Sequence, residues 1–257
     1  MRKLRAWWWV GLLACAGAPV RADASGPLRI EEAEVTASDG GALLYREAHY
    51  VEPAPRAGRL VVYRCPDGRP FARKRVQGGG AAPDFLMEDG RDGYREGVRS
   101  NGRAREAFVT SRGRTRTSPL VVSEGAVIDA GFDAAVRNRW EALAGGRAVR
   151  LQFLIPSRQR FFPVEVRRAG PVQWQGVRAE RLRMRLDTWF GLAVPEVELV
   201  YARDGGRLLE FRGTGNVRDA RGEHPQVRIA FARQPRSASA SELASAQRLP
   251  LDGRCSF

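Results

Sequence analysis

Apolar and polar positions alternate with a period of two over most of this chain, the pattern of β-strands buried on one face. The stretch 180–186 is the clearest: Leu182, Met184 and Leu186 fall on one side and Arg181, Arg183 and Arg185 on the other. That predicts an antiparallel strand with one face on a core and a solvated arginine ladder on the other. Val149, Leu151, Phe153 and Ile155 alternate with Arg150 and Gln152 in the same way. Strands are also predicted over 43–51, 161–166, 196–201, 208–212 and 227–231. Leu60-Val61-Val62-Tyr63 is a short continuously apolar run.

Turn residues punctuate these runs. Pro66-Asp67-Gly68 sets φ with its proline and accepts positive φ at its glycine, so it predicts a hairpin of 60–65 against 70–76. Asn101-Gly102 predicts a second hairpin of 94–98 against 105–110. Its arms are polar, which leaves its register weakly specified. Gly78-Gly79-Gly80 reads as a flexible connection before Phe85-Leu86-Met87, and Asp204-Gly205-Gly206 as a tight turn.

One segment breaks the period. Phe132, Val136, Trp140 and Leu143 recur at helical spacing, so 131–144 is predicted as a helix, with Asp129 able to cap its start and Gly145-Gly146 ending it. Ser239 with Glu242 has the form of a capping box for a short helix near the C-terminus. The predicted fold is therefore mostly β: a strongly curved antiparallel sheet, half-barrel-like, wrapped on one main helix, with a short C-terminal helix. No repeat of fixed period points to a solenoid or propeller.

The first 22 residues follow a different logic. Arg2, Lys3 and Arg5 precede an uncharged apolar run, and Val20-Arg21-Ala22 forms a small-residue cleavage site. This is the layout of a secretory signal peptide, too short in its apolar run to span a bilayer. It predicts a periplasmic protein with 1–22 removed and 23–257 forming one β-rich domain. Leu12-Leu13-Ala14-Cys15 also has the form of a lipobox, so the alternative is an outer-membrane lipoprotein anchored at Cys15; the apolar run continuing past Cys15 favours ordinary cleavage. Without the leader only Cys65 and Cys255 remain, and an even pair in an exported chain predicts a disulfide.

Charge changes the picture less than its size suggests. The net charge is +14, and Arg2, Lys3, Arg5 and Arg21 of the leader account for four of it. The only lysines are Lys3 and Lys74, and the arginines are spread along the chain rather than gathered in one tract. That distribution argues against nucleic-acid binding and suits exposed strand faces that resist edge-to-edge pairing.

Candidate chemistry is sparse. His49 and His224 lack partners at metal-ligand spacing and read as surface or half-buried residues. There is no Gly-x-Ser-x-Gly elbow and no phosphate loop, and no cofactor is expected. Glu31-Glu32 and Glu88-Asp89 are acidic neighbours, but adjacent strand residues point to opposite faces, so a hydrolase ranks third among the functions. The leading expectation is a non-enzymatic envelope protein that binds a lipid-like ligand or a protein partner in the concave face. Its candidate cavity residues are Phe132, Trp140, Phe153, Leu182, Met184 and Leu186, within an aromatic second half that also holds Phe161, Phe162, Trp174, Trp189 and Phe190. The second is an interaction module for anionic envelope polymers through the arginine-rich strand face.

Three segments carry a family resemblance: 60–74, with Cys65-Pro66-Asp67-Gly68 at its centre; 127–157, from Val127-Ile128-Asp129 through the helix to Pro156-Ser157; and 199–216, ending in Gly213-Thr214-Gly215-Asn216. Together they resemble an uncharacterised group of exported proteobacterial proteins without assigned activity. The order of strand meander, inserted helix and returning strands is also similar to the half-barrels of outer-membrane lipoprotein carriers. The resemblance implies a curved sheet around a helix and transfers no site residue.

Overall fold

The computed structural model describes residues 27–39, 41–102, 104–187, 196–204 and 206–257. The leader with Cys15, and Trp189, Phe190 and Gly205, lie outside the described residues. Two antiparallel meanders make one large curved sheet. The first runs β1 (Arg29–Ala37), β2 (Leu43–Val51), β3 (Arg59–Arg64), β4 (Pro70–Gln77), β5 (Asp84–Asp89), β6 (Arg95–Asn101), β7 (Ala104–Ser111) and β8 (Arg114–Pro119). The second runs β9 (Ala126–Val127), β10 (Val149–Ile155), β11 (Arg160–Trp174), β12 (Val177–Leu186), β13 (Val197–Ala202), β14 (Leu208–Thr214) and β15 (Gln226–Phe231). The short β16 (Arg236–Ser237) also pairs with β1. The order across the sheet is β8 to β1, then β15 down to β9, so the β1–β15 ladder joins the two meanders. Among the described residues, only β9 runs parallel to a neighbour, β10.

The strands expected from alternation are present, as are both expected hairpins, β3–β4 and β6–β7. Four features escaped the pattern. Strand β8 is solvated nearly throughout, so it has no apolar alternation to show. Strand β1 carries Glu31 inward where an apolar residue would be expected. The β7–β8 and β11–β12 loops, Arg112-Gly113 and Gln175-Gly176, take positive φ at both residues, the form that suits a right-twisted hairpin, with Arg and Gln in place of the usual Asn or Asp. Strand β11 runs far past the expected 161–166 because β12 pairs with it down to Trp174.

The predicted helix is two pieces, α1 (Gly131–Asn138) and α2 (Trp140–Ala144), broken at Arg139 with φ −118° and ψ 16°. Asp129 does not cap it. The capping position belongs to Ala130, without a side-chain bond, and Asp129 sits at φ 45°, turned away to Lys74. At the other end Ser239 does cap α3 (Ala240–Arg248), accepting from the Glu242 N–H at 3.1 Å.

Packing divides the sheet's two faces. On the concave side α1 and α2 pack against β10–β13 around Val136, Leu143, Val166, Leu182 and Tyr201. The rest of the concave side is filled by Val35, Tyr45, Tyr63, Phe71, Phe85, Val98 and Leu154. On the convex side α3 covers Ile30, Tyr50, Leu60 and Val62. The ladder neighbours Leu182, Leu199, Phe211, Ile229, Val35 and Tyr45 form one apolar row across the concave face.

Segment 128–131 ties the curled sheet to itself. The Lys74 ammonium, the one lysine among the described residues, meets Asp129 Oδ1 at 2.8 Å in a buried site. The Ile128 N–H donates to the Ala81 carbonyl at 2.9 Å. Gly131 lies so close to Ala81 that a Cβ there would stand 2.0 Å from that carbonyl oxygen.

A disulfide joins Cys65, just after β3, to Cys255, with Cα atoms 5.5 Å apart. It holds the tail so that Phe257 packs on Tyr45 and Phe71. The Arg91 guanidinium stacks on both Phe71 and Phe257 and pairs with Asp89.

Lys74→Met is expected to leave Asp129 ionised and buried without its cation, at a cost of about 3–5 kcal/mol in denaturant unfolding. Adding Asp129→Asn should recover more than half of that loss; an unchanged loss in the double variant would show that the pair is not the tie. Replacing both Cys65 and Cys255 by Ala should cost at most about 5 kcal/mol, given the long loop they close. Hydrogen exchange should quicken in 251–257 and in the 217–225 loop that leans on the tail.

Candidate functional site

Among the described residues, the sheet does not close by a ladder between its end strands β8 and β9. The turn after β10, Pro156–Arg158, packs against β6 and β7. Gln159, held at φ 54°, donates from its side-chain amide to the carbonyls of Ala107 at 3.3 Å and Arg116 at 3.0 Å. Where a side chain replaces a strand ladder, a gap remains. It is a pocket of about 550 Å³, walled by Tyr94 and Val109, by Ser111 and Arg116 of the β7–β8 hairpin, by Ser157, Arg158 and Gln159, and by Arg218, Gly222 and His224 of the β14–β15 loop.

Its walls carry three guanidiniums and no carboxylate. Among the described residues, neither Arg116 nor Arg158 has an acidic partner within 4 Å. Arg218 is fixed from below and beside. Its guanidinium lies 3.7 Å over the Tyr94 ring, it pairs with Asp92, and its Nε is buried without a partner. The loop that carries Arg218 and His224 is shaped by Asp219, whose side chain accepts from the N–H groups of Arg221 and Glu223. The loop is also buttressed by the disulfide-held tail, through the Ala220 N–H on the Phe257 carbonyl at 3.1 Å. His224 Nδ1 lies 2.9 Å from the Gly215 carbonyl, and burial pushes its imidazole below the usual 6.5.

Beneath Tyr94 lies a buried carboxyl. The Tyr94 hydroxyl donates to Glu96 at 2.8 Å. Desolvation pushes the Glu96 carboxyl from 4.5 up to about 7; Asp129 adds to the rise, while the Tyr94 hydrogen bond, Lys74 and Arg218 oppose it. Burial beside Glu96 raises the Tyr94 phenol as well.

The expected site residues fall elsewhere. Phe132, Trp140, Phe153, Leu182, Met184 and Leu186 are brought together in one apolar cluster beneath α1 and α2. Trp174 leaves that side for the convex face, where its indole N–H donates to Glu210 at 3.0 Å. The arginine ladder is not simply solvated. Arg183 pairs with Glu198 at 3.0 Å, Arg185 with Glu165 at 3.1 Å, and Arg212 and Arg228 with Glu210 at 2.6 Å each. His49 is buried rather than exposed, with Nε2 2.7 Å from Glu47. Glu31 and Glu32 do face opposite ways, one buried and one exposed. Among the described residues, no group of three His, Cys, Asp or Glu is arranged to hold a metal ion, and no helix is long and apolar enough to cross a membrane. Arg116, Arg158 and Arg218 were invisible as a site in the sequence: they lie on β8, on the turn after β10 and on the β14–β15 loop, and only the closing of the sheet assembles them.

The native state holds the Glu96 proton more tightly than the unfolded chain does. The stability this contributes is complete below pH 4.5 and is lost as pH rises through about 7. Glu96→Gln, which keeps an acceptor for Tyr94, should therefore raise unfolding stability by up to about 3 kcal/mol at pH 8 and by little at pH 4. Equal effects at both pH values would refute the buried-acid assignment.

No family model matches this sequence, and no curated protein does. Among solved structures it is similar to a β-barrel-like protein of the domain of unknown function DUF1849 from Brucella abortus. That likeness covers 83% of this chain and 98% of the other at 11% identity, with a TM-score of 0.50. A DUF1329 family protein from Desulfovibrio piger aligns over 85% of this chain and 88% of its own at 10% identity, with a TM-score of 0.27, too low to bear on the fold. The chain thus has a barrel-like fold shared with a protein of unknown function.

Proposed function

We propose that this chain is an exported, non-catalytic binding protein whose seam pocket takes an anionic group of an envelope ligand. The observation that carries this reading is the pocket's charge: Arg116, Arg158 and Arg218 with His224, and no carboxylate in the wall. Elsewhere many of the strand-face arginines are spent on glutamates. Arg116 and Arg158, exposed and without an acidic partner among the described residues, together with the half-buried Arg218, whose one acid is Asp92, leave this concave site a surplus of positive charge that attracts anions more strongly than ion-paired cations on an open sheet face. The anionic-ligand reading therefore moves from the arginine ladder to the seam. The apolar cluster beneath α1 and α2 is then the core that holds those helices on the sheet. Export rests on the leader and fits the Cys65–Cys255 disulfide.

Sulfate and inorganic phosphate, titrated calorimetrically at low ionic strength, probe the pocket directly. The double variant Arg116→Ala/Arg158→Ala should bind both at least tenfold more weakly with its fold intact. Sedimentation with phosphatidylglycerol vesicles, against phosphatidylcholine vesicles, separates a lipid headgroup from a free anion as the source. Absence of any anion binding by the unaltered protein, or equal binding by the double variant, would remove this reading.

A further inference from the structure

The inner face of the first meander carries a second transverse row, and this one is polar. Ladder neighbours run Glu31, His49, Val61, Lys74, Met87, Glu96, Val109 and Arg116 across β1 to β8. The row begins deep in the interior and ends at Arg116, in the wall of the seam pocket. Glu96 is the last acid on it, separated from Arg116 by Val109 alone. Tyr94 connects the two environments: its hydroxyl end is on Glu96 at 2.8 Å, and its ring face is under Arg218 at 3.7 Å.

Resting on the anionic-ligand reading above, we infer that Glu96 is the positioning residue that couples anion binding in the seam pocket to uptake of a proton. When Glu96 is neutral, the site behind Tyr94 carries no charge, and Arg218, Arg116 and Arg158 act on the anion opposed only by Asp92, the partner of Arg218. When Glu96 is ionised, a negative charge lies one tyrosine ring away from Arg218, in a poorly solvated place where charges act over several ångströms. It then repels the incoming anion and competes for the guanidinium. By linkage, an anion that prefers the protonated state must raise the proton affinity of Glu96 by the same factor.

The groups around Glu96 define the pH window. Lys74 of β4 faces it, already paired with Asp129 from the segment before α1. Tyr63 of β3 shares its field, and burial holds that phenol well above 10. Arg218, paired with Asp92, comes from the β14–β15 loop, and Met87 and Val109 flank Glu96 on its own row. His224 in the pocket wall is pushed below 6.5 and so stays neutral above that pH. The Glu96 carboxyl titrates near 7, inside the range where sulfate itself does not change charge.

Sulfate binding is measured calorimetrically between pH 6.5 and 8.5 in two buffers of different ionisation enthalpy. The unaltered protein should lose about tenfold in affinity across the range and take up a fraction of a proton on binding near pH 7. Glu96→Gln should keep the affinity seen at pH 6.5 throughout and take up no proton. Tyr94→Phe removes the hydrogen bond that favours the carboxylate but keeps the ring under Arg218, so it should move the midpoint to higher pH; it serves as the independent variant should Glu96→Gln fail to fold. Sulfate binding that is independent of pH, or a slope that survives Glu96→Gln, would overturn the proton coupling while leaving the anion site standing. Absence of sulfate binding at every pH removes the anion site itself, and the coupling with it.

Discussion

Everything on the concave side depends on the way residues 128–131 bind the curled sheet to itself. A sheet of two meanders joined along β1–β15 has free edges at β8 and β9, and twist alone leaves such edges apart. The Lys74–Asp129 pair, the Ile128 bond to Ala81 and the close approach of Gly131 to the same carbonyl pull the second meander across the first. Two of these need particular residues: the pair a cation long enough to cross from β4 and an acid in a left-handed turn, and the close approach a glycine without a Cβ. With that contact made, α1 and α2 fall onto β10–β13 and Gln159 reaches β7 and β8.

The interior that results is not a plain hydrocarbon core. An apolar row from Leu182 to Tyr45 and a polar row from Glu31 to Arg116 cross the same concave surface. Polar atoms of Tyr45, Glu47, His49 and Asp129 are buried there without a partner. Unpaired buried polar groups are costly, and proteins that keep them usually do so where specificity or function requires it. Here the polar row ends at the seam pocket, so charge inside the sheet and charge in the pocket belong to one electrostatic system.

The C-terminal tail completes the arrangement from the other side. Its disulfide places Phe257 against Tyr45 and Phe71, and its carbonyl holds Ala220 beside Arg218. The loop bearing Arg218 and His224 is thus clamped between tail and pocket. A β14–β15 connection of this length would otherwise be mobile. Fixing it lowers the entropy that ligand binding would have to remove.

The sequence by itself determined most of the strands, two of the hairpins, the capped C-terminal helix and the cysteine pair. These follow from local period, turn chemistry and parity, which need no knowledge of distant residues. It did not reveal β8, whose residues are solvated on both faces, nor the break at Arg139, nor the true partner of Asp129, whose acid looked like a helix cap until Lys74, 55 positions away, was brought to it. The glutamates that neutralise the arginine ladder were visible as residues but not as partners, because pairing across strands depends on register. Arg116, Arg158, Arg218 and Glu96 mean little one by one along the chain. Only the tertiary structure sets the three arginines around one opening with Glu96 behind Tyr94, since a site built where two sheet ends meet has no local pattern to encode it.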